Sequence, residues 1–118
     1  MESELLKALA ERGCGVAESL EETFMGNEKF FLKILKMLPD KCNLEALAEA
    51  CAAGNTVQAF NLSHDLKGMY GNAGLTPLFK ACSDIVETLR AGRLDGVKEA
   101  VEAMKPLHDE LMQVIREN

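Results

Sequence analysis

Residues 62–75, LSHDLKGMYGNAGL, set a histidine, a lysine and two glycines along one side of a helical repeat. At about 100° per residue, Val57, Phe60, Gly68 and Gly71 fall within about 40° of His64, and Lys67 lies at roughly −60°. Leu62, Leu66, Met69 and Ala73 fall near the opposite pole and are the expected buried side. His64 is therefore expected to face solvent. Imidazole titrates at about pH 6.5, so near neutrality much of it is free base and nucleophilic. A lysine one turn away is a mobile point charge that can neutralise charge on a transferred group. A helix rarely carries two glycines on one exposed face, since each costs about 1 kcal/mol against alanine. Their placement implies that something large approaches His64, with Val57, Phe60 and Asn61 as an adjoining contact patch.

The elements that must hold this face read as helices throughout. A first helix is expected over about Ser3 to Arg12 and a short second one over about Val16 to Phe24, ending at Gly26. Asn27 is a natural N-cap for a helix whose stripe is Phe30, Phe31, Ile34, Leu35 and Leu38. Pro39 predicts a kink or break before a continuation from Asp40 to about Ala53. Gly54-Asn55 then opens the His64 helix, about Thr56 to Ala73, which Gly74 ends. Thr76-Pro77 reads as N-cap and first helical residue of a helix to about Ala91, with Gly92 as its stop. Asp95 is the expected cap of a last helix to about Arg116, striped by Val97, Val101, Met104, Leu107, Leu111, Val114 and Ile115 and bent or split at Pro106. Four long helices joined by short loops predict an all-α fold: an antiparallel up-down four-helix bundle over residues 27–117, with an N-terminal helical extension over 1–26, in one domain.

Composition narrows the function. The 118 residues are 47% hydrophobic and 27% charged, which suits a folded domain rather than a disordered chain. The net charge of −6 and the absence of a Lys/Arg cluster speak against nucleic acid. No apolar run reaches the ~18 residues a membrane span needs, and the acidic N-terminus lacks a secretory signal, so a cytoplasmic location is expected. Cys14, Cys42, Cys51 and Cys82 show no C-x-x-C pairing and read as reduced thiols acting as small apolar residues. His108, in H-D-E, reads as a solvated or capping residue, and Glu18, Glu21 and Glu22 as part of a solvated face.

The pattern H-x-L-K-G-x-x-x-N-x-G, formed by His64, Leu66, Lys67, Gly68, Asn72 and Gly74, resembles the signature of histidine-containing phosphotransfer (HPt) domains of two-component phosphorelays. The preceding FFLKILKML, the lead-in AEACAAGN and the following LTPLFKACSDIVETL extend the resemblance over about residues 15–115. Ser63 stands where the family usually has Ala, and Met69 where a small residue is common. The resemblance implies that His64 accepts the phosphoryl group, that Lys67 is its electrostatic partner and that Gly68 gives clearance. The implied partners are response-regulator receiver domains, with a hybrid histidine kinase as a further one. No cofactor is expected on this chain, the magnesium for transfer being held by the receiver. The chain has neither a G-x-x-x-x-G-K-[ST] loop nor a kinase-type nucleotide loop, so the expectation is a monomeric phosphotransfer protein without an ATP site of its own. Two alternatives stand beside it: a receiver-binding module that exchanges no phosphate, and the phospho-accepting domain of a histidine kinase. The start at Met1 and the absence of a trailing linker favour a free-standing carrier over the last.

Overall fold

The structure, a computed structural model, describes residues 3–118. The first two residues of the expected N-terminal extension lie outside that range. Among the described residues seven helices follow one another: α1 (Glu4–Glu11), α2 (Val16–Glu22), α3 (Glu28–Lys41), α4 (Leu44–Ala52), α5 (Thr56–Asn72), α6 (Thr76–Arg90) and α7 (Val97–Glu117). No strand occurs among the described residues.

Four of these helices start on a side chain that accepts a hydrogen bond from the backbone three residues on. Ser3, Asn27, Asn43 and Asn55 accept from the N–H groups of Leu6, Phe30, Ala46 and Gln58 respectively. Each satisfies one of the donors that a helix start leaves without a partner. The break expected at Pro39 comes later, because α3 runs through the proline to Lys41 and α4 opens on Asn43. A proline in the last helical turn forfeits one bond without stopping the chain there, and the next side chain able to cap decides where a new helix begins. Two expected caps are corrected. Leu75, not Thr76, precedes α6, and Pro77 is its second residue. Gly96, at φ 73°, precedes α7 in place of Asp95. Pro106 leaves α7 as a single helix.

The bundle closes as a ring. α5 packs most extensively on α6 and also on α4, α6 packs on α7, and α7 returns to α4, with α3 lying farther along α7. The interior is filled by fully buried Phe31, Leu35, Leu47, Tyr70, Leu78, Ile85, Leu111 and Ile115. α1 packs against α2 and α7 and buries Leu5, Leu6 and Leu9, so the N-terminal segment is joined to the same core. All four cysteines are free and buried, as apolar fillers would be. Burial pushes the thiols of Cys14 and Cys42 up to about 11 and that of Cys82 to about 12, and shifts Cys51 in the same direction, so none is a ready thiolate.

His108 departs from its expected place at the surface. It is 9% exposed on the inner side of α7, and its Nδ1 shares a hydrogen bond of 2.9 Å with the hydroxyl of Tyr70, from α5. Burial lowers its pKa, with Asp109 acting in the opposite sense. Leu107, assigned to the buried stripe from its spacing, is only half-buried. A hydroxyl partner on the facing helix lets a polar ring occupy a position that apolar periodicity would not assign to it.

Candidate functional site

The rotation of α5 about its axis fixes which side chains reach solvent. Its buried residues are Ala59, Ser63, Leu66 and Tyr70, followed by Ala73 at its C-cap. This line is turned by about 40° from the one expected. Leu62 and Met69 are only half-buried, whereas Ser63 is fully buried. The cause is α6, which covers the Ser63 side. The Ser63 hydroxyl donates to the carbonyl of Phe60 at 3.0 Å, and the Cys82 thiol of α6 reaches the Ser63 carbonyl at 3.3 Å. A small residue that bonds within its own turn lets the two helices approach there.

His64 stands exposed on the free side. One turn earlier the Phe60 ring lies 5.8 Å from the imidazole, centre to centre, and one turn before that Val57 is 73% exposed. Asn61 is exposed beside them. The patch extends onto α6, where the Arg90 guanidinium sits 5.1 Å from the centre of the Phe60 ring and bonds Glu87 at 3.1 Å. Thr56, Val57, Phe60, Leu89, Arg90 and Gly92 together line an apolar groove here. Spacing within one helix cannot show Arg90, because it comes from the far end of the next helix.

The two glycines differ. A Cβ placed on Gly68 would meet nothing within 4 Å, so the space beside His64 is open. A Cβ on Gly71 would lie 2.8 and 2.9 Å from two ring carbons of Phe79. Gly71 therefore makes room for a neighbouring side chain, a packing role that the spacing along α5 does not reveal. The same Phe79 ring receives Lys67, whose Nζ lies 5.7 Å from its centre. At rest the ammonium thus leans toward α6, one turn from His64 and within reach of it by rotamer change. On the other flank of α5, Lys41 from the end of α3 lines a shallow depression together with His64, Asp65, Gly68 and Met69. It adds a second cation to the face, again from a helix that spacing along α5 cannot reveal.

Beyond Lys67 the surface falls into a cleft of about 380 Å³, walled by α2 on one side and by α5 and α6 on the other. Among the described residues no group of three or more His, Cys, Asp or Glu is placed to hold a metal ion, and no helix is long and apolar enough to cross a membrane. What this geometry offers is one accessible imidazole, a mobile lysine beside it and bare backbone over which a protein surface could come close.

A family model described as the Hpt domain matches residues 36–117, more than half of the chain. The chain belongs to the Hpt domain family. The match contains the whole of α4, α5, α6 and α7, and so includes the whole of the His64 helix. Histidine phosphotransfer in two-component phosphorelays is the business of this family, and its members interact with receiver domains and kinases. No curated protein and no solved structure matches the chain significantly. The Hpt match begins within α3, so α1 and α2 belong to the part of the chain that lies outside it.

Proposed function

We propose that His64 accepts a phosphoryl group from the aspartyl phosphate of one receiver domain and passes it to the aspartate of another. The observation that supports this most directly is the exposed imidazole next to the open space at Gly68. In the forward step the lone pair of one ring nitrogen attacks phosphorus, an N–P bond forms, and the acyl phosphate P–O bond breaks with its electron pair leaving on the aspartate. The other ring nitrogen keeps its proton. The return step runs the same way in reverse, the second aspartate taking the phosphoryl group and the imidazole recovering its lone pair.

Lys67 swings from the Phe79 ring toward the phosphoryl oxygens and offsets their charge while the N–P bond persists. Val57, Phe60 and Asn61 meet the receiver on one side of His64, and Gly68 lets its backbone close over the other. The magnesium that transfer needs is carried by the receiver, and the carrier works as a monomer.

The test is transfer of labelled phosphate from phosphorylated receiver domains. The label should be acid-labile and base-stable, as a phosphoramidate is, and His64→Gln should abolish it while leaving thermal unfolding unchanged. Label that persists in that variant, or that maps to His108, overturns the assignment.

A further inference from the structure

α2 is a fixed wall rather than a loose appendage. The Gly15 N–H at its start donates to Thr76 Oγ1 at 3.0 Å, and Val16 is fully buried. Gly74, at φ 76°, completes the joint, since a Cβ there would lie 2.8 Å from both the Gly15 carbonyl oxygen and Ser19 Oγ. The corner that ends the His64 helix therefore holds α2 directly. The cleft beyond Lys67 owes its second wall to this attachment.

That wall presents Glu18, Ser19 and Glu22, facing Lys67, Gly68 and Asn72. Neither carboxylate forms an ion pair among the described residues, although five other ion pairs do form. Ser19 is 8% exposed, and its hydroxyl makes no hydrogen bond to another described residue; it opens on the cleft instead. Lys67, the one cation among the described residues of the lining, rests over the Phe79 ring, itself part of the lining, and pairs with neither carboxylate. Any protein that covers His64 and Gly68 also covers the mouth of this cleft. An apolar side chain inserted there would strand two carboxylates and a nearly buried hydroxyl, and an acidic one would be repelled. A lysine or arginine satisfies all three acceptors with charge-assisted bonds.

We propose that the cleft between α2 and α5–α6 receives a basic side chain of the docking receiver domain, with Glu18, Glu22 and Ser19 as its acceptors. The proposal rests on receivers docking over the His64 face. It places partner choice in a helix outside the matched Hpt segment, while α5 within that segment supplies the phosphoryl acceptor.

The experiment measures the affinity of a panel of receiver domains for the wild type, for Glu18→Gln/Glu22→Gln and for Glu21→Gln, by titration at low and moderate salt. Glu21 removes charge from the same helix without lining the cleft. The double variant should weaken binding of the preferred receiver by roughly tenfold, with the difference shrinking as salt rises, and Glu21→Gln should leave it close to wild type. Ser19→Ala should weaken binding by a few fold. Unchanged affinity in the double variant, or an equal loss in Glu21→Gln, overturns the cleft proposal. Phosphate labelling of His64 is followed separately. A wild type that binds receivers but never takes label refutes the phosphotransfer reading and leaves the binding result to decide the cleft.

Discussion

Gly68 and Gly71 lie three residues apart on one helix, and the structure predicts opposite responses to the same substitution. Glycine-to-alanine exchange inside a helix is worth about 0.8–1 kcal/mol in favour of alanine. At Gly68 the new Cβ meets nothing within 4 Å, so the whole gain should appear. For a chain of this length it amounts to a rise in melting temperature of roughly 3–5 °C. At Gly71 the intrinsic gain is the same, but the Cβ would lie 2.8 and 2.9 Å from Phe79 ring carbons. The ring must move by roughly half an ångström or more, and overpacking of this kind costs about 1–3 kcal/mol. The net is a loss of about 1 kcal/mol, so the two variants should differ by roughly 2 kcal/mol in urea unfolding followed by far-ultraviolet circular dichroism. Equal stabilisation by both exchanges would mean that Phe79 does not rest on Gly71. A destabilised Gly68→Ala would mean that the space beside His64 is closed. Gly68→Gln extends the same logic to function: it should remain at least as stable as wild type yet slow phosphotransfer by tens of fold, because a long side chain then stands where the receiver approaches. Normal transfer in that variant would refute clearance as the reason for Gly68.

Lys67→Ala should slow transfer or shorten the lifetime of the phosphohistidine while moving the melting temperature by no more than about 5 °C, since an accessible cation over an aromatic ring contributes only about 0.5–1 kcal/mol. A fall of many degrees would make Lys67 structural. The lowered pKa of His108 makes stability depend on pH in a defined sense. Above about pH 6.5 the ring is neutral in both states; below it the unfolded chain takes up the proton first, so stability should decline on acidification by less than about 1.4 kcal/mol per pH unit. Urea unfolding between pH 8 and 5 checks this against His108→Gln, and a wild-type curve no steeper than that of the variant refutes it. Tyr70→Phe, which leaves His108 Nδ1 without its partner, should cost about 1 kcal/mol at neutral pH.

Most helix starts were legible in the sequence because they are local. Asn27 and Asn55 cap through contacts three residues away, and no distant part of the chain is needed to form them. The exposure of His64 was legible for the same reason, since helix geometry alone fixes the angle between neighbouring side chains. The membership of the buried line was not. That Ser63 turns inward and Leu62 only partly so depends on where α6 comes to rest, which periodicity along α5 cannot report. Gly71 makes the point sharply: in sequence it is indistinguishable from Gly68, and only the Phe79 ring arriving from α6 separates a packing glycine from an open one. His108 reads as a surface residue until Tyr70 is brought opposite it across the bundle. The α2 wall belongs to the same class, because the bond from Gly15 to Thr76 joins residues 61 apart in the chain. Chain-local rules thus placed His64 on an exposed face, and long-range packing decided what surrounds it.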